Sequence, residues 1–332
     1  MNKIKVLIVG GAGYIGGGIT DCFNEFNVDC EEYYKPFFDF TVFDNLTYET
    51  RFLKQVKFIY GDVRDTELLK TIIPKFDIII WLAAIVGDGA CQINVNLTNT
   101  INYESVKWLV DNFGDKKIIF TSTCSVYGIN HNLIDEEATP NPLSLYAETK
   151  LLAEQYIVKN CKDYLIFRLG TLFGLSDTYS RIRFDLVVNI LSLKATRGET
   201  LQVFGGEQWR PLLHVNDVAN AIYFGLTNNI KGLYNLSSSN ARISDITTEI
   251  KKVIPTCITE ETDLKFEDLR NYKVKNDKFL SIKSLKEGWS WLPNYTLSNG
   301  IEEIVNLVRD NRVVNPYDPI YSNVAHIGAM YK

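Results

Sequence analysis

Tyr146 and Lys150 stand four positions apart in Tyr-Ala-Glu-Thr-Lys, and shortly before them the chain reads Ser122-Thr-Cys-Ser-Val-Tyr-Gly128. On a helix, positions i and i+4 share a face, so phenol and ammonium would be neighbours. A nearby ammonium favours the phenolate and lowers a tyrosine pKa, which makes a general base. Such a base can take the proton of a sugar hydroxyl while hydride leaves the same carbon for a nicotinamide cofactor. Thr123 offers a hydroxyl to hold that substrate oxygen. Tyr-x-x-x-Lys alone is common by chance, and a second motif gives it weight.

That motif is Val9-Gly-Gly-Ala-Gly-Tyr-Ile-Gly16. It follows the apolar, β-branched run Ile4–Val9 and opens onto a helical pattern from Ile15 to Phe26. Strand, glycine turn and helix in that order make a dinucleotide-binding crossover. The glycines permit a tight turn and a close backbone approach to a pyrophosphate, and the helix N-terminus offers it unpaired N–H donors. Gly10, Gly13, Tyr14, Ile15 and Gly16 are the expected contacts. Asp44, at the tip of the second strand beside Asn45, can accept hydrogen bonds from the adenine ribose and would repel a 2′-phosphate. The cofactor is therefore expected to be NAD and not NADP. Asp44 lies farther past the glycines than the usual roughly 20 residues, because Asp29–Asp39 lengthens the first connection. Asp62, followed by Val63 after the third strand, can meet the adenine amino group.

The elements that must position these groups alternate through the first half. Strands are predicted at Lys3–Val9, Phe40–Phe43, Val56–Tyr60, Ile78–Leu82, Lys117–Thr121 and Tyr164–Arg168. Helices are predicted at Ile15–Phe26, Thr66–Ile73, Thr98–Asn112 and Ala147–Lys159. Strands joined by helix-length connections form a parallel sheet covered on both faces. The fold class is α/β, a Rossmann doubly wound parallel sheet with a smaller C-terminal α+β part. After Gly174 the rhythm breaks into a helix near Phe184–Ala195, short strands near Leu201–Val203 and Gly232–Asn235, and helices near Asn216–Leu226, Ile243–Val253 and Ile301–Val308. The expected division is 1–174 for the dinucleotide and 175–332 mainly for substrate, with about 210–235 returning to the first part. Arg210–Asp217 is expected to rejoin the first sheet. Past Asn315 there is no periodicity, and that tail is expected to wrap the surface.

Composition narrows the class. The chain has 332 residues, 46% hydrophobic and 23% charged, with a net charge of −5. That balance and the lack of a basic run argue against a nucleic-acid partner. No run approaches about 18 apolar residues, so no membrane span is expected. The chain enters a strand without a signal region, and its six cysteines form no Cys-x-x-Cys pair, so a reduced, cytoplasmic protein is expected. Three scattered histidines have no metal-ligand spacing, and no metal is expected.

At these residues the chain resembles the extended short-chain dehydrogenase/reductases, in their nucleotide-sugar epimerase/dehydratase branch, over roughly Lys3 to Val308. The matching positions include Gly10, Gly13, Gly16, Asp44, Asp62, Leu82-Ala83-Ala84, Asn102, Thr123, Tyr146 and Lys150. The resemblance implies that Leu82, Ala83, Ala84 and Asn102 serve the cofactor. It implies a nucleotide-diphosphate sugar as substrate, GDP- or UDP-linked hexose or heptose, with Arg210 the leading diphosphate ligand. Arg270, in Asp268-Leu-Arg-Asn-Tyr272, is a second. Ser125 and Thr171 belong to the same subsite, Thr171 replacing the family's usual Asn. Arg183 and Asn189 are placed near the nucleotide by the same analogy.

Departures from the family narrow the chemistry. Relatives that dehydrate the sugar carry an Asp-Glu pair after the catalytic Thr, and here those positions are Cys124 and Ser125. Relatives that epimerise at C3 and C5 use a Cys where this chain has Ser125, so Cys124 reads as a packed thiol. The 4-epimerases carry small or hydroxyl residues there. The expected activity is therefore NAD-dependent oxidation at C4 in surface-polysaccharide sugar biosynthesis, as a 4-epimerase or a 4-dehydrogenase. The alternative is a catalytically silent NAD-binding regulator or scaffold on the same fold. The resemblance also implies a homodimer or higher oligomer through the helices Thr98–Asn112 and Ala147–Lys159. Their patterns offer Leu151, Leu152, Tyr156, Ile157, Val106, Leu109 and Val110.

Overall fold

In β1 (Ile4–Val9), Val6 and Ile8 face one way and Leu7 and Val9 the other, and all four are buried. The same holds for β4 (Ile78–Trp81), where Ile78 and Ile80 join one core and Ile79 and Trp81 the other. Strands that bury both faces belong inside a sheet covered by helices on each side. The computed structural model of the chain, which describes residues 3–28, 38–49, 52–204, 206–262, 270–285 and 288–331, has that architecture.

The sheet adds β2 (Phe38–Asp44), β3 (Lys57–Tyr60), β5 (Lys117–Thr123), β7 (Tyr164–Leu169) and β11 (Gly232–Leu236). Its seven strands run in the order β11-β7-β5-β4-β1-β2-β3, all parallel. The chain builds outward from β1 to β3, returns to β4 and builds outward the other way. The order therefore reverses between β1 and β4, and a crevice opens there at the carboxyl ends of the strands. The Tyr14–Val28 and Val215–Thr227 helices cover one face, where Phe26 stacks on Tyr223. The Thr66–Ile72, Ser105–Phe113 and Leu145–Asn160 helices contribute to the core on the other.

Three small sheets carry the rest. β8 (Thr171–Phe173), β10 (Trp209–His214) and β12 (Ser239–Arg242) form one. β9 (Leu201–Phe204) pairs with β13 (Thr259–Thr262), and β6 (Ile129–Ile134) with β14 (Asn271–Val274). A separate core joins β9 and β10 to the Val187–Thr196, Ile243–Val253 and Leu297–Arg309 helices.

Several expectations are corrected. Arg210 to His214 lie in the three-stranded sheet, and it is β11 that returns to the large one. The predicted helix Thr98–Asn112 is two α-helical pieces, Val95–Asn99 and Ser105–Phe113, joined by a wider π-helical turn at Thr100–Glu104. Val106, Leu109, Val110 and Ile157 are buried in the core and cannot meet a second copy; Leu152 is exposed. The tail forms a helix, Asn323–Met330, whose Ile327 is buried. Most of Asp29–Asp39, and Asp268 with Leu269, lie outside the described residues.

Candidate active site

One cavity of about 640 Å³ runs along the carboxyl ends of the sheet strands and into the smaller part. Gly10 follows β1 with φ +79°, a conformation that L side chains rarely adopt, and a Cβ there would lie 2.5 Å from the Ala83 nitrogen. The β1 and β4 tips therefore touch, which puts the glycine turn beside Leu82, Ala83 and Ala84. Gly10, Gly13, Tyr14 and Ile15 all line the cavity. Gly16 does not; a Cβ there would meet the Gly11 carbonyl oxygen at 2.3 Å, so its work is to let the helix close on the turn.

Asp44 lines the cavity beside Asn45 and Val63. Its carboxylate accepts the backbone N–H groups of Ala12 and Leu46, at 3.0 and 2.8 Å. Burial pushes its pKa up, and these N–H bonds oppose the shift. Asp62 stands one layer behind, accepting from Asn45 Nδ2 at 2.9 Å and from Arg64. Asn102 is also behind the wall. It accepts from the Ile85 N–H, donates to the Ile85 carbonyl, and reaches Thr149 on the Leu145–Asn160 helix. Asn102 thereby fixes the β4 loop against the helix that carries Tyr146.

The Leu145–Asn160 helix is capped by Ser144, whose hydroxyl accepts from the Ala147 N–H and donates to Asp88. Tyr146 and Lys150 lie on its cavity face with Thr123 and Ser125 from the end of β5. Lys150 sits 4.0 Å over the Phe120 ring and is 3% exposed. The expected lowering of the tyrosine pKa calls on the nicotinamide's positive charge as well as Lys150, and the chain's own groups do not produce it. Burial pushes the Tyr146 phenol well above its ordinary value, and Asp88 raises it further against the opposing charges of Arg183 and Arg270. The same burial pushes Lys150 down to about 7, which Glu154 opposes. Taking a charge out of water outweighs the neighbours in both cases.

Toward the smaller part of the chain, Arg210 extends from β10, its guanidinium donating to the Trp209 carbonyl, the Arg270 carbonyl and the Gln208 side chain. Arg270 enters from the start of β14, donates to Ser125 Oγ at 2.9 Å and lies 3.8 Å from Asp88. Tyr272 is buried behind it, its hydroxyl 3.5 Å from Ser125 Oγ. Thr171, Arg183, Arg210 and Arg270 all line the cavity, and Arg183 is held by Asp185. Asn189 is corrected: it is fully buried and binds the Gly174 N–H, the Gly174 carbonyl and the Arg183 carbonyl. Cys124 is buried and its thiol donates to the Arg168 carbonyl at 3.1 Å.

Sequence reasoning missed Tyr48, Asn323 and Val324 as wall residues, while Arg181, which the family analogy places near the nucleotide with Arg183, does line the cavity. Nothing local marks Asn323, which reaches this cavity across more than two hundred positions of chain. The residues present suit a dinucleotide. Ser122 and Tyr48 line this cavity and their buried hydroxyls have no hydrogen-bond partner, and the bare face of Gly13 lies next to the helix N-terminus.

The NAD dependent epimerase/dehydratase family matches residues 6–237. The chain belongs to that family. It is an NAD-dependent enzyme, and NAD is its cofactor. A protein of Methanocaldococcus jannaschii, provisionally named as a UDP-glucose 4-epimerase, is 27% identical, covering 92% of this chain and 99% of the relative. An ADP-L-glycero-D-manno-heptose-6-epimerase of Brachyspira hyodysenteriae is 25% identical over 91% and 97%. Among solved structures, UDP-glucose 4-epimerase of Thermotoga maritima, with UDP-glucose, superposes with a TM-score of 0.75 at 22% identity, covering 93% of this chain and all of its own. UDP-glucuronic acid 4-epimerase of Bacillus cereus, with UDP-glucuronic acid and NAD, does so with 0.73 at 23%, over 92% and 99%. These two show the shared fold. Among the described residues no helix is long and apolar enough to cross a membrane, and no three His, Cys, Asp or Glu side chains cluster as metal ligands.

Proposed function

We propose that this enzyme oxidises the C4 hydroxyl of a nucleotide-diphosphate sugar, as a 4-epimerase or a 4-dehydrogenase in the cytoplasmic supply of polysaccharide sugars. One observation carries the reading: Thr123, Tyr146 and Lys150 share a single cavity with the glycine turn at one end and Arg210 and Arg270 at the other. When bound, NAD would supply the hydride acceptor and, in its oxidised ring, a positive charge that favours the phenolate. Gly10, Gly13 and the backbone of the β4 tip would hold it, with Asp44 on its ribose.

Thr123 would hold the C4 oxygen and Tyr146 Oη would take its proton, which needs the phenolate. Lys150 would keep a charge or donor beside the phenol and the ribose hydroxyls. Guanidinium groups match phosphate oxygens in pairs, so Arg210 and Arg270 suit the diphosphate. Neither Cys124 nor Ser125 can supply the carboxylate pair of a dehydratase, and the Cys124 thiol points into the protein. The partly or fully exposed Trp108, Leu152 and Val158 support pairing of two copies through these helices.

The test is a panel of UDP- and GDP-linked hexoses and heptoses, following NADH absorbance and product stereochemistry together. A C4 epimer or a 4-keto product is expected. No change at C4 with any nucleotide sugar would refute the reading.

A further inference from the structure

Thr123 and Tyr146 sit on two elements that must keep a set distance. Tyr146 rides on the Leu145–Asn160 helix, and Thr123 leads from β5 into a single 3₁₀ turn, Cys124–Tyr127. A 3₁₀ turn has poor hydrogen-bond geometry, and one this short holds little by itself. The Thr123 hydroxyl is part of it, accepting from the Ser125 N–H at 3.1 Å. Wherever the turn goes, that hydroxyl goes with it.

Behind both elements lies a charged network that the proposed chemistry does not use. Tyr146, Lys150 and Glu154 follow one another at four-residue steps, which puts Glu154 on the same side of the helix, two turns behind the base. Glu154 is 2% exposed and pairs with Arg168 of β7, which is 5% exposed. Arg168 donates from Nε and Nη2 to that carboxylate, the Nη2 bond at 2.5 Å. Its Nη1 donates to the Tyr127 hydroxyl at 2.7 Å, at the far end of the turn. That hydroxyl donates in its turn to the side-chain oxygen of Asn235 on β11 at 2.8 Å. The Arg168 carbonyl accepts from the Cys124 thiol, at the near end. One residue of β7 therefore grips the turn at both ends and the helix at Glu154.

A buried ion pair is a poor device for stability, because taking both charges out of water offsets their attraction. Charge-assisted hydrogen bonds with fixed directions make it a good device for distance. Given the function proposed above, we infer that Glu154, Arg168 and Tyr127 are positioning residues, which set the Thr123 hydroxyl against the Tyr146 phenol. None of the three lines the cavity. They act through the two groups that do.

Two variants of the NAD-bound protein test this. Glu154→Met with Arg168→Met replaces the pair by apolar side chains of similar length, an exchange that often leaves stability unchanged or higher. Tyr127→Phe removes one hydroxyl and leaves Glu154 in place, one turn from Lys150. Misplacing reacting groups by about an ångström can cost on the order of 10²-fold in rate. In the double variant kcat should fall by about that factor, and in Tyr127→Phe about tenfold, with KM for the nucleotide sugar little changed. Hydrogen exchange, read with no sugar present, should quicken across residues 122–128 and stay as in wild type along β1 and β4. Thermal unfolding follows the fold; should the double variant not fold, Tyr127→Phe decides. Wild-type kcat in a folded variant would overturn the inference, and so would unchanged exchange across 122–128. Exchange that quickens equally in every segment would do the same, since it marks a support for stability alone. Wild-type protein inactive toward every nucleotide sugar would sink the proposed function, and exchange across 122–128 would then decide the positioning by itself.

Discussion

Gly10 and Arg270 line the same cavity but reach it by different routes. Around the glycine turn much of the wall is backbone and short side chains within a few residues of β1, β2 and β4, all strands of one sheet, with Arg181 and Asn323 added from farther along the chain. The bond from Ala12 to Asp44 ties two neighbouring strand tips. On the substrate side the wall is long side chains. Arg210 comes from the three-stranded sheet, and Arg270 from the start of β14, reaching Ser125 at the end of β5. A wall of backbone is fixed when the sheet folds. A wall of guanidinium groups is held by hydrogen bonds that a phosphate can replace, so that side can adjust to its ligand.

Substitutions can break this contrast, because each should damage one function and spare the other. Tyr146→Phe sits where the two sides meet and should act on chemistry alone. Turnover is expected to fall about 10²–10⁴-fold with NAD still bound, checked by steady-state rates and by bound-nucleotide analysis. Thr123→Val should cost less, since the base remains. Because burial holds the phenol above its ordinary value, the phenolate fraction grows with pH. Wild-type kcat/KM should therefore rise from neutral to alkaline pH, and the residual rate of Tyr146→Phe should not.

Arg210→Ala tests the substrate side. Losing a charged hydrogen bond is worth about 1.5–3 kcal/mol, so KM for the nucleotide sugar should rise roughly ten- to a hundredfold while NAD retention stays unchanged. Altered NAD release in that variant would show that the two walls are not separable. Asp44→Asn tests the cofactor side in the same way. Removing the charge should relax the preference for NAD over NADP by about tenfold, the scale of one charge-assisted contact, with KM for sugar preserved. Isothermal titration with both dinucleotides measures it.

The last test reads stability. Lys150 has a folded-state pKa near 7 against an ordinary 10.5, so between those values the unfolded chain binds the extra proton. Stability of NAD-free protein should therefore rise with pH across that window. Lys150→Met should remove the rise and melt higher at pH 7, as thermal unfolding at a series of pH values would show.

The same contrast explains what could be read from the sequence. β1, its glycine turn and Asp44 announce themselves because the contacts they make are local to strand tips of one sheet. Helix Ile243–Val253 is equally legible through its periodicity, whereas the helix of Tyr146 has almost none and is legible as a run without glycine or proline. β6, β8, β12 and β14 are not, being three to six residues long and stabilised by partners far away in the chain. Asn102 and Asn189 read as ligand contacts because polar residues beside a site look alike in sequence. Their hydrogen bonds to backbone, visible only in the fold, make them supports. The shift of Tyr146 also eluded the sequence, because burial is not written in a four-residue spacing.

The π-helical turn at Thr100–Glu104 fixes how this region can change its length. A regular α-helix turns about 100° with each residue, and a π turn holds one residue more than the α spacing allows. Asn102 sits on that extra step, facing Ile85, while Val106, Leu109 and Val110 farther along face the sheet. The turn wraps five residues into about the arc that four take in an α-helix, so closing it by loss of one residue other than Asn102 would leave the two groups nearly in phase. The region can therefore shorten by one residue here without turning either face away from its partners.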